Sequence, residues 1–471
     1  MPISPARAAA FDVLLRVEQQ HAYASELLHS EKLDKLSVAD RALTTEIVMG
    51  VLRWRSKLDG AIAENSARSL EKLDAEVLVA LRIAAYQLLF LDRIPVRASI
   101  HESVELVKWA RKSSAAPFAN AVLRKVADAA EALDPSAVSG ASASELAEGF
   151  AHPEWLVERW VKNYGIENAY LVCRYDQSVP TTAIRVAGED VVGELEHEGI
   201  ALTPGALLTS ARIVLSGDVT QTRASREGRV FIQDEASQLV ALLVGHGSRI
   251  LDCCAAPGGK TAAIASRNPQ SEIIAAELHP HRAELLRERV QTVNVQVLTA
   301  DALALPLCGG FDRVLADVPC SGTGTLARNP EIKWRLKPRD LNELQRKQVA
   351  ILRAALRQLA PGGRAVYSTC SLEPEENEAV VEEVLRDGSG HRLIDCRDEL
   401  ERMKSSGELA IDDVDGLLSG PYLRTIPGKQ PCDGFFAAVI ERREVAAQIN
   451  SRSFDSALAR SARSADRKDQ G

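Results

Sequence analysis

The sequence predicts three folded units in series: an all-helical N-terminal domain, a small α+β module and a doubly wound α/β domain. Three observations predict this. Over the first 130 or so residues, apolar positions recur at three- and four-residue spacing, with Val77, Leu81, Ala84, Ala85 and Leu88 on one stripe. The stretch LDPSAVSGASASEL, 133–146, is rich in Pro, Ser, Gly and Ala and reads as a linker. Beyond residue 233, short β-rich runs alternate with helical ones, the pattern of βαβ units in a mostly parallel sheet. A chain of 471 residues is in any case too long for one core.

Composition narrows the class. Hydrophobic content of 46% and charged content of 26% are ordinary for a soluble globular protein. A membrane span needs about 18 uncharged apolar residues. The best window, 77–91, is interrupted by Arg82 and Gln87, so no membrane partner is expected. The N-terminus lacks the apolar core of a signal peptide, which points to the cytoplasm. Eight cysteines occur without a C-x-x-C pair, so neither a structural metal nor a disulfide framework is expected, and most should be buried packing. A monomer is expected. The net charge of −8 argues against bulk nucleic-acid affinity. Residues 1–125, however, hold 18 Lys and Arg against 15 Asp and Glu, a balance of +3 against −11 for the rest. A nucleic-acid partner would meet local basic patches.

In the helical domain, 1–132, Pro95 interrupts the periodicity, which resumes over 100–110 and 119–126. Arg53, Arg55, Arg93, Arg97, Lys108, Arg111, Lys112, Arg124 and Lys125 are candidates for one basic face, set against an ordinary solvated helix surface. The wording AYQLLFLDRIP, SIHESVELVKWA and FANAVLRK resembles the NusB-like helical domain. That family binds RNA, so the resemblance implies an RNA-binding front end. The linker is placed at 133–149. An amphipathic helix over 152–165 ends at Gly165 as its C-cap, with Trp155 and Trp160 expected in the core. Strand-like runs at 182–186, 212–215 and 229–232 then suggest an α+β module over 150–228. Its position resembles the RNA-contacting insert that precedes the catalytic domain of RNA cytosine methyltransferases.

The α/β domain, 229–442, offers strands at 249–252, 272–277, 295–299, 313–317, 364–368 and 435–440, with helices such as 282–292 and 340–359 between them. The last stretch, 443–471, reads as a frayed helix or a flexible tail.

Chemistry concentrates at the ends of those strands, where open α/β sheets form their ligand crevice. LDCCAAPGGKT follows the first strand. Its Gly258-Gly259 pair lets backbone approach a ligand at a helix N-terminus. It is neither a G-x-G-x-x-G dinucleotide turn nor a phosphate loop. Glu277 and Asp301 end the second and third strands. A carboxylate so placed can hold a ribose diol, although either could be a helix N-cap. Without a pyrophosphate turn, S-adenosylmethionine fits this layout better than NAD. Asp317 and Cys320 follow the fourth strand and Cys370 the fifth, with Glu376 and Asn377 close behind, so the two thiols should share one crevice.

A methyl donor, two thiols and an acid suit one reaction. Carbon 5 of cytosine is a poor nucleophile until a thiolate adds to carbon 6. After methylation a base must remove the carbon 5 proton before the thiolate leaves.

DVPCSGTGTLARNPEIKW, LDCCAAPGGKT, FIQDEASQ and STCSLEPEEN together resemble the RNA 5-methylcytosine methyltransferases. With the NusB-like front end, the chain is similar to the branch acting on small-subunit (16S) ribosomal RNA. The resemblance implies a Rossmann-like, S-adenosylmethionine-dependent domain. It makes Cys370 the nucleophile, Cys320 the thiol assisting release and Asp317 the acid near base and methyl donor. It also assigns cofactor contacts to Cys254, Ala255, Ala256, Pro257, Gly258, Gly259, Lys260, Glu277, Asp301 and Asp317. Lys260 is open between the methionine carboxylate and the target base. Cys253 stands where the family usually has an aliphatic residue, Glu331 replaces a frequent aspartate, and the acidic overall charge is unusual for an RNA enzyme. Transfer RNA is the alternative substrate. A non-catalytic RNA-binding assembly factor is the alternative class, against which the intact Asp317, Cys320 and Cys370 set weighs.

Overall fold

The computed structural model describes residues 3–129, 142–386 and 390–444. Most of the predicted linker (133–141) and nearly all of the predicted tail (445–471) lie outside the described residues.

The N-terminal unit is helical throughout, with principal helices Pro5–Gln20, Val38–Arg53, Arg55–Glu64, Ala75–Phe90, Val96–Trp109 and Ala116–Asp128. The helix Ala75–Phe90 carries the periodic stripe, yet it is buried nearly all round from Val77 to Gln87. A helix apolar on every face belongs at the centre of a domain, and its neighbours wrap it in one cluster with Phe11, Ile47, Leu58, Leu106 and Leu123. Its one buried charge, Arg82, is held by Asp59 at 2.6 and 2.8 Å.

The candidate basic face does not form as a whole. Arg53 is buried, and its Nη2 donates to the carbonyl of Ala327 at 2.9 Å. Arg55 pairs with Glu18, Lys108 with Glu105 and Lys112 with Asp74. Arg93, Arg97, Arg111, Arg124 and Lys125 are exposed.

The middle of the chain divides differently from the sequence reading. Residues 143–149, placed in the linker, form the helix Ala143–Gly149, with Ser142 accepting from the Glu145 amide as its cap. The next helical stretch, Glu154–Asp176, is two helices joined at Gly165: the first ends there as expected, at φ 81° and ψ 162°, a conformation that favours glycine, and a second continues directly from it. Their apolar faces pack with Phe150, Leu326, Leu372 and Ile426, so these helices brace the α/β domain. Trp160 is fully buried, and its indole donates to Glu373 at 3.2 Å.

The small sheet contains β1 (Thr182–Val186), β2 (Ala201–Pro204), β3 (Ala211–Ser216) and β4 (Val230–Ile232) in the order β2-β3-β1-β4, all antiparallel. The helix Glu189–His197 closes its core through Val191 and Leu195. Strand β4 lies past residue 228, so the module extends into the start of the predicted catalytic domain.

The large sheet holds β5 (Arg249–Asp252), β6 (Glu272–Glu277), β7 (Val295–Thr299), β8 (Phe311–Asp317), β9 (Leu359–Thr369), β10 (His391–Ile394), β11 (Leu418–Ser419), β12 (Tyr422–Arg424) and β13 (Phe436–Arg442). Its order is β11-β12-β13-β9-β8-β5-β6-β7, with β10 on β13. Strands β5 to β9 pair in parallel, and β13 joins β9 antiparallel. Among the described residues no helix is long and apolar enough to cross a membrane.

The helical domain docks on one segment of the α/β domain. Lys333 Nζ donates to the Arg53 carbonyl at 3.0 Å and Trp334 Nε1 to that of Leu52 at 2.6 Å. Arg335 reaches the carbonyls of Val17, His21 and Ala22 at 2.7–2.9 Å. Glu331, the substituted aspartate, accepts from the Ala24 amide at 2.8 Å.

Candidate active site

The register of the central strands dictates where the thiols meet. Asp317 of β8 lies opposite Ser368 of the parallel neighbour β9. Cys320 and Cys370 follow those partners by three and two residues, so two turns leave the same edge side by side. Their sulfurs stand 3.4 Å apart. The turns interlock through backbone: Gly324 N donates to the Cys370 carbonyl at 2.9 Å, and Gly434 N to the Gly324 carbonyl at 2.7 Å. A Cβ on Gly324 would stand 2.2 Å from the Gly434 oxygen, which is why this position is glycine.

Asp317 is anchored on both oxygens. Ser368 Oγ donates to Oδ1 at 2.7 Å and Lys260 Nζ to Oδ2 at 2.8 Å. Burial alone would lower the Lys260 amine, but the charge and hydrogen bond of Asp317 outweigh it and hold the amine above its usual range. The same ammonium lies 4.8 Å from the centre of the Phe435 ring. Lys260 therefore points at the acid and an aromatic face. Cys320 is pushed well above the usual thiol range, by its hydrogen bond with Cys370 first, then by burial and the charges of Cys370 and Glu376.

The glycine turn opens the helix Gly259–Arg267. Together with Asp317, Asn329 and Phe435 it lines a cavity of about 400 Å³. Cys254, Ala255, Ala256, Pro257, Gly259 and Lys260 all border this cavity. Gly258 instead turns toward Val290 and Leu286. Glu277 is buried at the end of β6, its Oε1 accepting from the His279 amide at 2.9 Å. Asp301 is exposed and caps the Leu303 amide at 2.9 Å. Neither acid borders the cavity, and Asp301 shows the cap geometry that the sequence left open. Cys253 is buried packing.

Sequence reasoning missed a network across the cavity. Arg328 donates to Asp433 at 2.8 Å and to Asp234 at 3.2 Å. Burial, then the neighbouring Asp234 charge, raises the Asp433 carboxyl. Asp234 and Arg328 lie inside the quoted FIQDEASQ and LARNP wording, but nothing in their spacing showed that they meet.

A doubly wound sheet with a glycine turn, strand-end carboxylates and two facing thiols defines a methyltransferase domain of the cysteine-bearing kind. Residues 239–441 match the family described as 16S rRNA methyltransferase RsmB/F, and residues 4–128 match the NusB family. The chain is 32% identical over 459 residues to the probable ribosomal RNA small subunit methyltransferase B of Bacillus subtilis (strain 168), covering 93% of this chain and 98% of that protein. It is also 32% identical over 451 residues to the ribosomal RNA small subunit methyltransferase B of Vibrio cholerae serotype O1, covering 93% and 97%. A structure described as the crystal structure of PH0851 superposes with a TM-score of 0.77 at 25% identity, covering 94% of this chain and 99% of that one. The chain belongs to the RsmB/F family of 16S rRNA methyltransferases and carries a NusB-type helical domain.

Proposed function

We propose that the chain transfers a methyl group from S-adenosylmethionine to carbon 5 of a cytosine in small-subunit ribosomal RNA. The observation that carries the reading is the pair of sulfurs 3.4 Å apart beside the Lys260–Asp317 pair. When bound, the cofactor supplies an electrophilic methyl group. The turn 254–260 would cradle it at the mouth of a helix, where the strand-end acids Asp252 and Asp317 line the cavity; Glu277 and Asp301 would reach it only from beyond that lining. The glycine turn, the cavity of about 400 Å³ and the carboxylate of Asp317 fit such a ligand.

The chain's own residues divide the remaining work. Cys370, in the T-C-S wording that resembles the family's nucleophile motif, would add to carbon 6, with the Cys320 sulfur 3.4 Å away. Asp317, held by Lys260 and Ser368, would act as the acid toward ring nitrogen 3. Cys320, as the thiolate, would then take the carbon 5 proton, the double bond re-forms between carbons 5 and 6, and Cys370 leaves carbon 6 with its electron pair as a thiolate. The base would reach the thiols by leaving its stack. Exposed Arg93, Arg97, Arg111, Arg124 and Lys125 offer the helical domain's cations to phosphates.

The test is methyl transfer from labelled S-adenosylmethionine to naked small-subunit ribosomal RNA, to assembling small subunits and to unmodified transfer RNA. We expect 5-methylcytosine in ribosomal RNA. Label only in transfer RNA overturns the substrate, and label in none overturns the enzyme reading. Cys370→Ala should abolish turnover, whereas Cys320→Ala should accumulate a covalent RNA adduct on denaturing gels.

A further inference from the structure

The wording EPEEN, 373–377, supplies three glutamates directly after the second thiol, and they face different ways. Glu373 and Glu375 pair with Arg159. Glu376 is fully buried and turned to the thiol turns. Its Oε1 accepts from the Ser321 amide and from Gln348 Nε2, both at 2.8 Å. Its Oε2 accepts from the Ser321 hydroxyl and, at 2.5 Å, from the Ser371 hydroxyl. Ser321 and Ser371 are the residues immediately after Cys320 and Cys370. One carboxylate thus spends its acceptor capacity on both thiol-bearing turns. Gln348 adds a third tie, its Nε2 also lying 3.0 Å from the Pro319 carbonyl. The backbone of Glu376 is itself fixed by the Tyr367 hydroxyl, which donates to its carbonyl at 2.5 Å. Asn377 holds the other side of Cys370, accepting from Thr369 at 2.5 Å and donating to the Ser371 carbonyl at 2.8 Å.

We propose that Glu376 is a positioning residue that staples the two turns and thereby sets the gap between Cys320 and Cys370. It touches neither sulfur and acts through Ser321 and Ser371. A buried carboxylate with four donors is costly to disturb, because each donor left behind is an unpaired polar group away from water. The consequence for turnover rests on the cytosine chemistry proposed above; the staple does not.

The gap can be read without RNA. Dibromobimane bridges thiols that lie close together: each sulfur forms a carbon–sulfur bond, a bromide leaves each time, and two protons pass to solvent. In the full-length protein, peptide mapping should find the Cys320–Cys370 bridge, and Cys320→Ala should abolish it. Glu376→Ala should slow bridging about tenfold or more, by analogy with the cost of a 1 Å misplacement in a site. Glu376→Asp, which withdraws the carboxylate by one methylene, should slow it less but measurably. Affinity for S-adenosylmethionine should remain within about twofold, because the glycine turn is untouched. Wild-type bridging rates in either variant overturn the proposal, as does a fall in cofactor affinity proportional to the loss of bridging. If Glu376→Ala does not fold, Glu376→Asp alone decides. Slowed bridging in a protein that makes no 5-methylcytosine leaves the staple standing and removes the cytosine reading. With activity present, Glu376→Ala should lower kcat while KM for RNA stays within about twofold and the RNA adduct accumulates.

Discussion

Asp252 ends β5 with its carboxyl withdrawn from water. Burial pushes the group up to about 7, the Thr261 hydroxyl at 2.7 Å opposes that shift, and the charge of Asp317 adds to it. In an unfolded chain the same group titrates near about 3.9. Below about pH 4 both states hold the proton and no stability is lost. From about pH 4 to 7 the unfolded chain ionises first, so stability falls as pH rises, by up to about 1.4 kcal/mol per pH unit from this group. Asp252→Asn keeps an acceptor for Thr261 and removes that slope. The variant should therefore gain much more over the parent in melting temperature at about pH 8 than at about pH 4.5. Thermal unfolding at both values checks this, and equal effects would refute it. At this scale the thiols and Asp317 were legible, because strand ends in a parallel sheet converge whatever lies between them. Asp301 was not decided by sequence, since cap and ribose ligand ask for the same residue at the same place. The inward turn of Arg53 was hidden too: periodicity tells which face is polar, not what that face meets.

Among elements, the two interlocked turns at the sheet edge are the most exacting. Gly324→Ala drives a methyl into the Gly434 carbonyl at 2.2 Å, and the nearest atoms it meets are all Gly434 backbone, with no flexible side chain to yield. We expect a stability loss of about 1–3 kcal/mol from such overpacking. The thiol turn must also shift, so activity should fall out of proportion to stability. Gly165→Ala is the contrasting case. Its Cβ would meet nothing within 4 Å, and only the backbone at φ 81° resists it. A cost of about 1–3 kcal/mol with activity retained is expected, read by denaturant unfolding beside the methylation assay. The strands that frame the site were readable as short β-branched runs between turn residues. Strands β10 to β12 were not, being two to four residues long and without alternation. The helix Ala143–Gly149 was masked by small residues that also make linkers.

For the molecule as a whole, the junction between helical and α/β domains is the feature that no periodicity announced. Lys333 is buried in it, and burial, partly offset by the Asp176 charge, brings its amine down to about 7. Helix C-termini leave their last carbonyls without partners. Here the helices Pro5–Gln20 and Val38–Arg53 have theirs met by Arg335, Lys333 and Trp334 from another domain. Arg335→Ala strands the carbonyls of Val17, His21 and Ala22 and should cost about 1–3 kcal/mol. Calorimetry should then show the helical domain melting ahead of the rest, where the parent melts in one step. A single unshifted transition would count against the coupling.

These contacts are made to backbone carbonyls and not to side chains. The dock therefore reads the path of the chain, and Arg53, whose guanidinium meets the Ala327 carbonyl across it, is the helix-end residue whose side chain also matters. Lengthening or shortening either helix by one residue would rotate its final carbonyls by about 100° and miss the donors. Over evolutionary time the helical domain should tolerate substitution far better than insertion at these two ends, and a graft from a distant relative should succeed or fail on helix length.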